Sequence, residues 1–219
     1  MILPADFFSQ NACDVAQALI GKIIRRKFNN QWLAARIIET EAYYLSDKAS
    51  HSSLGYTEKR KAMFMPAGTI YMYYARGHDS LNISCGNEGD AVLIKSALPF
   101  VDKKSPEKNI KTMQKLNPAN NGSLRPLEKL CAGQTLLCKA LNLKVTEWDQ
   151  KQFNKNKFYI EDINITPNKI IQTTRLGIHR DRDAHLHYRF IDYEYVKYSS
   201  NNPLTKKMYK EGKEYIILS

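Results

Sequence analysis

No two of the four cysteines, Cys13, Cys85, Cys131 and Cys138, stand at a zinc-ligand or CxxC spacing, so the small metal knuckle and the dithiol redox motif are both excluded. Cys131 and Cys138 fall in an apolar, helix-like stretch, where free buried thiols are expected. The segment MILPADFFSQ has no basic region leading into a long apolar core, and no apolar run approaches the length of a membrane span. A basic amphipathic helix is also missing, which weakens a membrane-surface role. There is no internal repeat, no low-complexity tract and no RRM- or KH-like signature. These absences lead to the expectation of a soluble protein of a reducing compartment with no membrane partner. That compartment is the cytoplasm with its nucleoid in a prokaryote, or the nucleus in a eukaryote.

What is present is charge of one sign and tyrosine. The 219 residues carry 33 Lys and Arg against 22 Asp and Glu, a net +11, and a field of that sign favours polyanions such as nucleic acid. Thirteen tyrosines outnumber eight phenylalanines, and tyrosine beside basic residues suits stacked bases and hydrogen-bonded phosphates. The length fits one domain, residues 1–219.

Residues 11–20 read as a short helix with Asn11 or Asp14 near its start and Gly21 closing it. KIIRRKF and WLAARIIETEAYY flank Asn29-Asn30, a hairpin turn between two strands. Residues 45–62 form a polar loop. TIYMYYA (69–75) and AVLIKSALPF (91–100) are further strands, joined by the Gly- and polar-rich segment 76–90. One helix is expected around 107–116 and helical structure on both sides of Gly133, followed by short strands at FYIED and HYRFIDYEYV. Antiparallel hairpins with interspersed helices predict an α+β fold, a curved antiparallel sheet with flanking helices.

Alternation along Arg36–Tyr43 puts Ile37, Glu39, Glu41 and Tyr43 on one strand face and Arg36, Ile38, Thr40 and Ala42 on the other. Tyr71 and Tyr73 share a face of the next strand, and Leu93 pairs with Lys95 on a third. His51 lies in the intervening loop, and Asn82 just past the loop 76–81. Taken singly, each has an ordinary reading: exposed strand-end carboxylates, core tyrosines, a loop histidine, a strand-end cap.

Their order is specific. ETEAY, then AxHS, MFMxxGTIYMYY, a Gly, LNIS and AVLIKSALP together resemble the alkyladenine (3-methyladenine) DNA glycosylase family. AQALIGKIIRR precedes the set, and CAGQTLLCKAL and RLGI follow it. The likeness runs from about Phe7 to Phe190 and is densest between Arg36 and Leu98. It implies a monofunctional hydrolase of base excision repair that acts as a monomer on duplex DNA without metal or organic cofactor. Such an enzyme flips an alkylated or deaminated purine from the stack, because the duplex hides the glycosidic bond. By the resemblance Glu41 is the general base for water. Tyr43, His51 and Tyr73 stack on the flipped base, and Asn82 excludes the guanine 2-amino group.

Three departures bear on substrate range and rate. Arg76 stands where the family keeps an aromatic wedge, with Tyr74 as an alternative, and the following HDSLNIS is one residue short. Lys95 replaces an Arg that helps hold the catalytic water, a point charge in place of a fork. AGQTLL replaces SGPGKL, so Leu136 stands near the DNA in place of a basic residue. Two rival readings follow: a lesion-binding protein weakened in turnover through Lys95 and Arg76, and an RNA-directed relative. Retention of Glu41 argues against the first.

Overall fold

The computed structural model describes residues 1–219. Helix α1 (Ala12–Ala18) starts where the Asn11 side chain accepts the Cys13 and Asp14 amides at 3.0 and 3.1 Å, an N-cap that satisfies donors the helix cannot. Gly21, at φ +88°, turns the chain from the helix into the sheet, where a Cβ would meet the Ile165 carbonyl at 2.8 Å. Strands β1 (Ile23–Phe28) and β2 (Gln31–Tyr43) then pair across Asn29 and Asn30. Both asparagines have positive φ, 46° and 59°, the two-residue hairpin their identity predicts.

Seven further strands follow: β3 (Ile70–Ala75), β4 (His78–Ser84), β5 (Ala91–Pro99), β6 (Phe158–Glu161), β7 (Ile170–Thr173), β8 (Arg189–Asp192) and β9 (Tyr215–Leu218). All pair antiparallel in one open sheet, ordered β3-β4-β5-β2-β8-β7-β9. The long β2 is its axis. One edge pairs with β5, while along the other β1 takes Gln31–Arg36 and β8 takes Glu39–Glu41. Helices α1, α2 (Lys108–Leu116), α3 (Leu127–Leu130) and α4 (Gln134–Ala140) pack on one sheet face, burying Val15, Ala16, Ile110, Met113, Leu130 and Leu137 in the main apolar core. The α+β expectation holds, and Gly133 at φ 107° separates α3 from α4.

Three local readings change. The strand expected at HYRFIDYEYV is limited to Arg189–Asp192, and Tyr193–Tyr198 wind into a 3-10 helix. Residues 78–84, expected within a polar connection, form β4, because Arg76-Gly77 is a tight hairpin (φ 51° and 80°) with Ala75 paired to His78. The strict alternation along β2 also fails. Leu33, Ala35 and Ile37 face the main core, yet so do Ala42 and Thr40, whose hydroxyl donates to the Ala16 carbonyl of α1. The register explains the switch. Ile37 opposes Ala97, Glu39 opposes Ser96 and Thr40 opposes Ile94, so Ile38 is an extra residue on β2 and Lys95 an extra residue on β5. Adjacent bulges on facing strands restore the register while exchanging the faces of both. Val92 and Ile94 before the β5 bulge, and Ala97 after it, all reach the core.

Candidate active site

The face opposite the helices carries a line of cross-strand neighbours: Tyr71 opposes Asn82, Asn82 opposes Leu93, Leu93 opposes Glu41, and Glu41 opposes Arg189. Because facing residues of antiparallel strands project to the same side, five strands contribute one row of side chains. Tyr71, Asn82 and Leu93 line a cleft of about 410 Å³, joined by Tyr43, His51, Tyr73, Tyr74, Arg76, Lys95 and Arg182.

Glu41 is fully buried directly beneath this cleft. Tyr43 Oη donates to its Oε2 at 2.7 Å, the Leu176 amide donates to Oε1 at 3.2 Å, and Lys95 Nζ lies 3.4 Å from Oε1 and 3.5 Å from Oε2. A carboxylate has about four lone-pair positions, so three donors leave room for one more. Glu39 differs. Its oxygens accept from Arg189 Nε (2.6 Å), Ser96 Oγ (2.7 Å), the Ser200 amide (2.8 Å) and Ser200 Oγ (2.7 Å). Burial opposes the charge on Glu39, but Arg189 and these hydrogen bonds outweigh it and hold the carboxyl below its ordinary range. Glu39 is therefore ionised and saturated, while its neighbour on the same face retains capacity for a water.

His51 opens a short 3-10 turn, Ser52–Leu54. Its Nδ1 lies 2.8 Å from Tyr71 Oη, and its ring meets Tyr73 edge-on at 4.3 Å. Burial, then the charges of Arg60 and Arg182, push its pKa below 6.5, so the imidazole is neutral at pH 7. Burial, followed by the Glu41 charge, raises the Tyr43 phenol far above its usual value, which keeps it a donor. The Asn82 amide is held by a 3.2 Å bond from Nδ2 to the Tyr71 carbonyl, which leaves Oδ1 as its free polar end. Arg76 sits exposed at the β3–β4 hairpin tip, and a Cβ on Gly177 would lie 3.9 Å from its guanidinium. The hairpin tip thus approaches the loop that supplies the Leu176 amide.

Tyr43, His51, Tyr73, Tyr74, Arg76, Asn82 and Lys95 thus line one cleft, with Glu41 beneath it, whereas Leu136 does not line it. Sequence reasoning missed Arg175, although RLGI contains it. Fully buried, its side chain bonds Asp47 and the Ala42 carbonyl (3.0 Å) and lies over the Tyr43 and Tyr188 rings at 4.6 and 5.3 Å. One guanidinium therefore ties together the end of β2, the loop leading to His51, and the Leu176 backbone. Leu176 and Arg182 were missed because their partners are distant in sequence, Glu41 at 135 residues and Lys48 at 134. No group of three or more His, Cys, Asp or Glu side chains converges to hold a metal ion, and no helix is long and apolar enough to cross a membrane.

A family model for methylpurine-DNA glycosylase matches residues 6–195. The chain is 56% identical over 216 residues to a protein of Pseudomonas savastanoi pv. phaseolicola, covering 99% of this chain and 96% of that one. It is 52% identical to a Pseudomonas aeruginosa protein (99% and 90% covered) and 30% identical to one of Clostridium beijerinckii (94% and 100% covered). All three bear the provisional name 3-methyladenine DNA glycosylase. With a match over most of its length and relatives that align from end to end, this chain belongs to the methylpurine-DNA glycosylase family and is a DNA glycosylase, a hydrolase of N-glycosyl bonds.

Proposed function

We propose that the protein acts as a monomer on duplex DNA, flips alkylated or deaminated purines into the cleft above β2–β5, and releases them with water activated by Glu41. The observation that carries this reading is the contrast between the two carboxylates of ETEAY: Glu39 accepts four hydrogen bonds, whereas Glu41, beneath the cleft, has three donors and one acceptor position left over. As the glycosidic bond lengthens, positive charge develops on the sugar, and the Glu41 carboxylate stabilises it. The same carboxylate accepts the proton of the water that attacks the anomeric carbon, and the purine departs with the glycosidic electron pair.

Tyr43, His51, Tyr71 and Tyr73 supply aromatic surface for an extruded base. The charged residues lining the cleft, Lys95, Arg76 and Arg182, are all cationic, as suits a strand whose phosphates must come close. Lys95 is held in an ion pair with Glu41 at 3.4 Å, so it orients the carboxylate and does not form an imine. The test is single-turnover excision from duplexes containing hypoxanthine, ethenoadenine or 3-methyladenine, beside matched RNA. Glu41→Gln keeps the shape and removes the base. Binding of lesion DNA should persist while excision is lost; an active Glu41→Gln enzyme overturns the mechanism.

A further inference from the structure

The paired bulges decide where Lys95 points, and they are held by Glu39, Ser96, Arg189 and Ser200, none of which lines the cleft. With regular pairing, Lys95 would have a cross-strand partner on β2; as the extra residue of β5 it has none, and both it and Ser96 project to the Glu41 side. Ser96 Oγ donates to Glu39 at 2.7 Å and accepts the Gly133 amide, from the start of α4, at 2.9 Å. Arg189, buried on β8, joins Glu39 Oε1 at 2.6 Å and sends Nη2 to the Asn201 carbonyl at 2.5 Å. Ser200 closes the network with its amide and hydroxyl. Ser200 and Asn201 lie beyond residue 195, where the family match ends.

We propose that Glu39 is a positioning residue for the hydrolytic step. By gripping Ser96, Arg189 and Ser200 it locks the two bulges in register, so that the Lys95 ammonium is seated against Glu41. Segment 199–201 is in this sense part of the active site. The proposal rests on Glu41 being the base. A buried, ionised, fully bonded carboxylate is costly to assemble, and here its partners reach exactly those two backbone irregularities that aim Lys95. Glu41 is faced by Tyr43 on its own strand, Tyr73 on β3, Lys95 on β5, Arg175 after β7 and Arg189 on β8. Ser96→Ala alters none of these groups directly; it removes the hydroxyl that joins Glu39 to the Gly133 amide.

The experiment compares Glu39→Gln, Ser96→Ala and Ser200→Ala by thermal melting, lesion-DNA affinity and single-turnover excision against pH. For Ser96→Ala the excision rate should fall roughly tenfold to a hundredfold, as expected for a small misplacement near the reacting atoms. Affinity should stay within about twofold. The pH–rate profile should change along with the rate, because the cation that faces the proposed base is displaced. In a Lys95→Ala background Ser96→Ala should have no further effect on either rate or pH profile. Should Glu39→Gln fail to fold, the two serine variants, each lacking one hydroxyl, carry the test. Lower melting temperatures with unchanged rates and pH profiles would make the network structural only and overturn the proposal. An active Glu41→Gln enzyme would instead overturn the general-base reading itself.

Discussion

Tyr43 Oη donates a 2.7 Å hydrogen bond to Glu41 Oε2 from two residues along the same strand face. One residue thus offers its ring to the cleft and its hydroxyl to the proposed base. Tyr43→Phe separates the two roles. Affinity for lesion duplex should be nearly unchanged, because the ring remains. Excision should fall by about tenfold to a hundredfold, the worth of a hydrogen bond to a charged group, about 1.5–3 kcal/mol. Loss of affinity without loss of rate would show that the phenol serves binding alone.

Lys95 faces both oxygens of Glu41 at 3.4 and 3.5 Å. Lys95→Arg should keep or improve excision, since a guanidinium offers a fork of donors to the same carboxylate. Lys95→Ala should lose most of it. Borohydride should trap no protein–DNA adduct and no strand scission should follow base release. An adduct that disappears in Lys95→Ala would establish the covalent route.

Under the proposed function, Arg76 and Tyr74 are the two candidates for the place an extruded base would leave. Arg76 occupies the hairpin tip, and Tyr74 is 56% exposed on the cleft rim. Arg76→Ala should lower the fluorescence of a 2-aminopurine beside the lesion more than it lowers affinity for undamaged duplex. The opposite outcome, with the signal lost in Tyr74→Ala alone, assigns the wedge to the tyrosine.

Asn82 is pinned by the Tyr71 carbonyl and projects from the cross-strand row between Tyr71 and Leu93. Shortening it in Asn82→Ser should open space for a guanine 2-amino group. Discrimination between adenine- and guanine-derived lesions should relax by about one to two orders of magnitude, the usual scale of such a mismatch at roughly 1–3 kcal/mol. A constant ratio would rule this gate out.

Acid should destabilise the protein in two stages. His51 titrates below its ordinary 6.5 in the folded state, chiefly because it is buried. The unfolded chain therefore binds more protons just below pH 6.5, and stability falls as pH drops through that interval. Glu39 repeats the pattern lower down: despite burial, Arg189 and the hydrogen bonds hold it below 4.5, so its contribution is present above pH 4.5 and declines beneath it. Urea midpoints measured from pH 7.5 to 3 should show both declines, and His51→Gln should remove the upper one. A midpoint that rises on acidification from pH 6.5 would contradict the first assignment.

The parts legible in the sequence were those set by near neighbours. Asn11 caps α1, Asn29-Asn30 turns the first hairpin, and Gly133 divides two helices, each by local chemistry. The ordered motifs likewise gathered Glu41, Tyr43, His51, Tyr73, Asn82, Arg76 and Lys95 around one cleft. Strands β7 and β9 were not read from the sequence. Arg175 escaped because its partner Asp47 lies 128 residues away. Ile37 was put on the wrong face because alternation assumes an unbroken ladder, and bulges leave little trace in composition.

That β2 shares one edge between β1 and β8 also orders events in time. The hairpin with β1 joins residues close in sequence, whereas β8 and the Ser200 contact to Glu39 close across up to 161 residues. During synthesis, at about 5–20 residues per second, strands β1 to β5 emerge together with Glu41 and Lys95, yet the Leu176 donor, Arg189 and Ser200 arrive long afterwards. Contacts of such high order form slowly and late. The proposed site is therefore completed only after Ser200 has emerged, and a chain interrupted before Leu176 carries Glu41 and Lys95 without the Leu176 amide, Arg189 or Ser200.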